Sequence, residues 1–384
     1  MLGEQGMNLE RFTVELVAQH KCILNEFQGK TVTLPLEALK PWKQGNLRLI
    51  SSDGSHYMFS ISGTEDLREL RHQLMAFNSL YEHPGVLARL PFHPHRIPSS
   101  LRSLARRLWP KGHHSHNQGI RFPDWPVDYS VDFLRFMDAN IDLNHSVYEP
   151  TLCLSHDVDS LEGQRQVIHM AKVEESLGLR SAWFLVPGKY PIDRGLWREM
   201  KSRGHEIGCH GWIHDFKLPV LSVEKIQSRL SRAVAELAEF EVCGFRAPGF
   251  YRSPRLYEQL PRWFSYDSSA PDTLNLPGPG GCGTVFVDQV GGLTQVPVTV
   301  SWDGETLAMG LTVDERQAIW QEKISWIKRL GGVIHLLTHP DPGFTWGKAG
   351  LDWYRNTLRE ITSDISIGHC LPREIARDHS SGQH

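Results

Sequence analysis

From about residue 150 onward, short apolar runs alternate with amphipathic stretches, and this β/α alternation restricts the fold to a parallel barrel or a doubly wound sheet. The runs 151–158, 181–187, 206–213, 242–247 and 332–339 predict strands, and 162–177, 194–203, 222–240 and 313–330 predict helices. The clearest helix is 222–240. Ser222 stands as its N-cap, Glu224 lies in its first turn, and Val223, Ile226, Leu230, Val234 and Leu237 recur at helical spacing. Both architectures place chemistry at the carboxyl ends of strands. Residues 270–300, with Pro277-Gly278-Pro279-Gly280-Gly281, read as a loop excursion over that face.

Two strand ends carry metal-ligating side chains. Ser155-His156-Asp157-Val158-Asp159 puts two carboxylates at i and i+2, which share a strand face and reach one centre. His210-Gly211-Trp212-Ile213-His214 puts two imidazoles at i and i+4, with Gly211 free to turn both rings toward one ion. Two imidazoles and one carboxylate leave an open coordination position, which suggests catalysis and not a structural clamp. Each pair alone is more often a solvated strand end or a packing feature. Together they supply the parts of a metal site.

The whole chain sets wider bounds. Its 384 residues suit one large α/β domain and a smaller one, and 41 Lys+Arg against 44 Asp+Glu give a formal charge of -3. Such a balance offers no basic field for nucleic acid. The segment after Met1 meets Glu4, Glu10, Arg11 and Glu15 before any apolar core forms, so a soluble cytoplasmic protein is the expectation. Six scattered cysteines lack a Cys-x-x-Cys pair and read as buried thiols.

The N-terminal third differs in pattern. A strand at 31–34 ended by Pro35, a hairpin over 47–62 around Asp53-Gly54 and a helix from Thr64 predict a small α+β module. Residues 99–109 place Leu101, Leu104 and Leu108 opposite Arg102, Arg106 and Arg107, which reads as a docked linker helix or a peripheral membrane contact. His113, His114 and His116 beyond it read as solvated linker. We divide the chain into 1–118, module and basic linker, and 119–384, the β/α part.

Over residues 119–375 the chain resembles the polysaccharide deacetylase family, the carbohydrate esterases with the NodB homology domain. The resemblance rests on five motifs in the family's order: Ser155-His156-Asp157-Val158-Asp159, His210-Gly211-Trp212-Ile213-His214, Arg246-Ala247-Pro248-Gly249-Phe250, Tyr266-Asp267-Ser268-Ser269 and Leu337-Thr338-His339-Pro340. It implies a distorted (β/α) barrel that holds a divalent metal, usually Zn2+ with Co2+, Fe2+ or Ni2+ as alternatives, and hydrolyses an N-acetyl group on a sugar. Carried over by residue, Asp159, His210 and His214 would be the ligands and Asp157 the general base. Arg246 would orient the base, His339 would be the general acid, Asp267 would tune that imidazole, and an amide near Gly249 or Phe250 would meet the oxyanion. His335, four residues before His339, competes for the acid role.

The first motif departs from the family's commonest form, in which the two aspartates are adjacent and followed by Gly. Here Val158 separates them and Ser160 follows. Relatives with this form include enzymes on other substrates. The readings are therefore a de-N-acetylase for a nucleotide- or lipid-linked amino sugar or a glycan of a surface polysaccharide, a hydrolase of a formamide or ring amide, or a non-catalytic carbohydrate-binding barrel. Trp183, Trp212, Phe250, Tyr251, Trp302 and Trp346 are the aromatic candidates for stacking on a sugar.

Overall fold

The computed structural model describes residues 149–271, 285–290, 292–308, 311–345 and 347–381, and the backbone of five strands between residues 11 and 60. The chain divides into two compact units. The five strands belong to the first: β1 (Arg11–Val17), β2 (Lys21–Phe27), β3 (Lys30–Pro35), β4 (Arg48–Ser52) and β5 (His56–Ser60). They form an antiparallel sheet in the order β3-β2-β1-β5-β4. Pro35 is the last residue of β3, where its missing N–H cannot interrupt a ladder. β4 and β5 are the two arms expected of the hairpin around Asp53-Gly54. The helix expected from Thr64, the arginine-faced segment 99–109, the histidines that follow it and the boundary at 118/119 lie outside the described residues.

The second unit carries the β/α alternation. Its strands are β6 (Thr151–Val158), β7 (Ala182–Leu185), β8 (Glu206–Cys209), β9 (Gly244–Phe245), β10 (Tyr266–Asp267), β11 (Asp288–Val290), β12 (Leu293–Gln295), β13 (Val333–Thr338) and β14 (Gly368–His369). The order is β11-β12-β10-β9-β8-β7-β6-β13, with β14 also on β6, and every pairing except β11 with β12 is parallel. The helices are α1 (Leu161–Glu175), α2 (Arg194–Ser202), α3 (Val223–Glu236), α4 (Pro254–Tyr257), α5 (Asp303–Ala308), α6 (Val313–Leu330), α7 (Lys348–Thr362) and α8 (Pro372–Ser380). On α3, Ser222 occupies the N-cap position and Ile226, Leu230 and, at the C-cap, Leu237 are buried as the 3.6-residue spacing predicts, whereas Val223 and Val234 are only half-buried and Ala233 is buried in addition. No helix among the described residues is long and apolar enough to cross a membrane.

Residues 296–300 join the two ends of this curled sheet irregularly. On one side Val296 N–H and Val298 N–H donate to Asp267 O and Ala270 O. On the other, Val300 N–H donates to His335 O at 3.3 Å, and Thr299 Oγ1 links Val333 O to His335 N–H. The result is the distorted (β/α) barrel implied by the motifs. It also corrects the expectation for 270–300: the part of that stretch within the described residues supplies β11, β12 and this closure.

Alternation along β6 sorts the barrel's inside from its outside. Cys153, Ala182, Phe184, Tyr266, Val296 and Val333 make an apolar cluster with Ile375 and Ala376 of α8. The alternate residue His156 bonds instead to Glu174 of α1, at 2.6 Å, and stacks on Trp183 at 4.1 Å. Trp183 is fully buried in that layer, which removes it from the candidates for stacking on a sugar. Of the cysteines, Cys153 and Cys209 are buried as expected, whereas Cys243 and Cys370 are only half-buried; all four are free thiols.

Candidate metal centre and acid–base site

β6 and β8 end side by side, and their last residues bring the predicted ligands together. β8 is shorter than the apolar run suggested, because Gly211 takes φ +75 and turns the chain out of the sheet directly after His210. That turn lets both rings face Asp159. His214 Nε2 lies 3.3 Å from Asp159 Oδ1, and His210 Nε2 lies 3.6 Å from the same oxygen and 3.5 Å from Asp157 Oδ2. Ligand atoms from Asp159, His210 and His214 all fall within 4.8 Å of one another.

The donor set fits a divalent ion. A tetrahedral site with bonds of about 2.1 Å has ligand–ligand edges of about 3.4 Å, and the 3.3 and 3.6 Å separations match such edges. Asp159 Oδ1 is buried and accepts no hydrogen bond. His210 Nδ1 lies 2.8 Å from Arg246 O; a carbonyl only accepts, so Nδ1 holds the proton and Nε2 presents its lone pair.

Sequence reasoning missed Asp341, which fixes Asp159. Its Oδ2 accepts from Asp159 N–H at 3.0 Å, and its Oδ1 accepts from the Ser160 hydroxyl. Ser160 meanwhile caps α1 by accepting from Gly163 N–H at 3.1 Å. Gly163 has to lack a side chain here, because a Cβ would lie 2.5 Å from the Asp341 carboxylate.

Asp157 points into the barrel with one oxygen taken. Arg246 Nη1 donates to Asp157 Oδ1 at 2.9 Å, so Oδ2 is the oxygen that faces the ligands. Arg246 is wholly buried over the Phe184 ring, 4.2 Å from its centroid, and donates further to Ser155 Oγ, Ser268 O and Ser268 Oγ. Such a fork holds a carboxylate in one orientation.

His339 follows β13, and its partner corrects the sequence reading. His339 Nδ1 donates to Asp303 Oδ1 at 2.7 Å, whereas Asp267 accepts from Tyr257 OH, Ser269 N–H and Ser269 Oγ. The reason is local: Asp267 bonds forward to Ser269 across its own turn, while α5 begins at Asp303 beneath His339. Asp303 also accepts from Thr345 N–H and Oγ1. Burial alone depresses an imidazole, but the Asp303 carboxylate overrides it and pushes His339 up to about 10. His335, the competitor, is fully buried and bonds to Ser155 and Pro297.

Aromatic rings wall this centre. Trp302 and Phe344 lie 5.8 and 4.6 Å from the His339 ring, Phe250 lies 6.0 Å from Trp302, and Phe216 meets His214 edge-on at 4.9 Å. Tyr251 stands 5.5 Å from Phe216, Trp212 lies under Arg232, and Trp346 is outside the described residues. Phe216 and Phe344 were not anticipated. In the turn after Arg246, Phe250 N–H is already bonded to Ala247 O at 2.9 Å, and Gly249 adopts φ +60.

Residues 144–259 match the family model described as Polysaccharide deacetylase. Among solved structures, the putative polysaccharide deacetylase from Mycobacterium smegmatis overlays with a TM-score of 0.50 at 17% identity, covering 62% of this chain and 92% of that one. Puue allantoinase gives 0.48 at 14% identity, with 62% and 92% covered. The family 4 carbohydrate esterase from Streptomyces lividans in complex with acetate gives 0.39 at 17% identity, with 58% and 92% covered. No curated protein matches the chain in sequence. The match over 144–259 takes in the first three of the ordered motifs, and the second unit has the deacetylase (β/α)-barrel fold.

Proposed function

We propose that this protein is a metal-dependent hydrolase that removes an N-acetyl group from an amino sugar. The observation that carries the reading is the meeting of Asp159, His210 and His214 at one point, with Asp157 Oδ2 on its edge. The family match supports carbohydrate deacetylation as the reaction class. A nucleotide- or lipid-linked sugar, or a glycan of a surface polysaccharide, is the substrate we propose within it.

Asp159, His210 and His214 would hold the ion, most readily Zn2+. A divalent ion there supplies Lewis acidity, which acidifies water toward a pKa of about 7 and polarises the amide carbonyl. Asp157 takes the proton from the attacking water on Oδ2, and Arg246 keeps that oxygen aimed by holding Oδ1. The Gly249 amide is the donor assigned to the developing oxyanion, because the Phe250 amide is already committed. His339 gives its Nε2 proton to the departing amine. Its Nδ1–H stays on Asp303, which fixes the tautomer and keeps the ring charged at neutral pH.

A non-catalytic barrel is disfavoured, since base, ligands and acid are all present around one space. Acetate release from a panel of N-acetylated monosaccharides, nucleotide sugars and oligosaccharides tests the reading. Turnover of at least one supports it; turnover confined to formamides or ring amides overturns the substrate class.

A further inference from the structure

We propose that His335 is a positioning residue for this hydrolysis, given the deacetylase reading above: from behind the site it orders Ser155 and, through Ser155, holds Arg246 against Asp157. His335 is completely buried on β13. Its two ring nitrogens face partners that leave one arrangement of protons. Nδ1 lies 2.9 Å from Pro297 O, and because a carbonyl only accepts, Nδ1 carries the hydrogen. Nε2 lies 2.7 Å from Ser155 Oγ and 3.4 Å from Arg246 Nη2, so a proton there would set a second cation against the guanidinium. Burial and the Arg246 charge push His335 well below its ordinary range, which keeps the ring neutral.

The remaining donors then follow in sequence. Ser155 gives its O–H to Nε2 and turns a lone pair to Arg246 Nη2, which donates to it at 2.9 Å. Arg246 Nη1 donates to Asp157 at 2.9 Å. Pro297 belongs to the irregular closure of the barrel, so that closure reaches the base, Asp157, through three side chains: His335, Ser155 and Arg246. Ser268 holds Arg246 as well, through its carbonyl and hydroxyl, so loss of the His335 end weakens the base's orientation without abolishing it.

Two substitutions separate this role from simple packing. His335→Gln keeps an acceptor where Nε2 sits, while His335→Asn keeps the donor toward Pro297 and offers Ser155 nothing. His335→Asn is expected to lose about 10- to 100-fold in kcat with KM and Zn2+ retention unchanged, as for outer partners of an active-site group. His335→Gln recovers most of that loss. Ser155→Ala falls like His335→Asn, and the double variant falls no further than the larger single, because both cut one link. Imidazole 15N NMR of the wild type should show the neutral Nδ1–H tautomer, with an Nε2 resonance that moves in Ser155→Ala.

Wild-type kcat in His335→Asn, equal losses in Asn and Gln at matched folding, or an Nε2–H tautomer overturns the proposal. If the wild type releases no acetate from any N-acetyl sugar, the functional reading fails by itself. The tautomer and its response to Ser155→Ala still decide the His335–Ser155 link in that case.

Discussion

Asp303 accepts from both the backbone N–H and the ring Nδ1–H of His339, at 2.8 and 2.7 Å, and so fixes the ring's position, tautomer and charge together. The carboxylate is fully buried, and burial alone would favour its neutral form. The His339 ion pair reverses that and keeps it ionised below the usual carboxylate range.

Removing that charge should weaken the acid. His339 is raised to about 10 chiefly by Asp303 acting against burial, so Asp303→Asn lowers it, and the ring loses its proton at a lower pH. The alkaline limb of the kcat profile should move down. At pH 8 activity should fall about 10-fold or more, with metal content unchanged. An unmoved alkaline limb in a folded Asp303→Asn protein would show that His339 does not donate the proton.

Gly163→Ala tests the Asp341 clamp. The added Cβ would come within 2.5 Å of Asp341 Oδ2 and 2.8 Å of Oδ1, so the carboxylate must leave Asp159 N–H or the helix start must shift. A cost of about 1–3 kcal/mol is expected, typical of overpacking. Thermal unfolding with and without Zn2+ measures it. The ion should stabilise the variant less than the wild type, because Asp159 is no longer held for it.

Glu206 should make stability fall as pH rises. It is buried at the start of β8, accepting from Tyr266 OH at 2.6 Å and Arg373 N–H at 3.1 Å, and burial pushes its carboxyl up to about 7. The folded state therefore binds more protons than the unfolded chain between the ordinary Glu value of about 4.3 and that raised value. Stability contributed by the protonated group is complete below that window and lost as pH climbs through about 7. Urea denaturation of wild type and Glu206→Gln from pH 5 to 8 should show a decline in the wild type that the variant lacks.

The parts of this site readable from sequence were those whose geometry is local. Period-two alternation placed Asp157 and Asp159 on one face, and the four-residue spacing around Gly211 joined His210 to His214. What escaped depends on contacts between distant segments. Asp341 reaches Asp159 across 182 residues and Asp303 reaches His339 across 36, and neither aspartate differs in the sequence from a surface one. Asp267, within a motif, looked the better partner, but its oxygens are taken by Ser269 of its own turn and by Tyr257 OH. The closure at 296–300 escaped for another reason. It relies partly on a side-chain hydroxyl, Thr299 Oγ1, in place of a regular ladder, so no alternating pattern marks it.

Bound metal and acetate release, measured together on wild type, Asp157→Asn and His210→Ala, test the central claim most directly. We expect the wild type to carry about one divalent ion per chain and to release acetate. Asp157→Asn should keep the ion and lose turnover by about 100-fold or more. His210→Ala should lose both. A wild type that takes up no divalent ion, or an Asp157→Asn protein that turns over normally, would contradict the account.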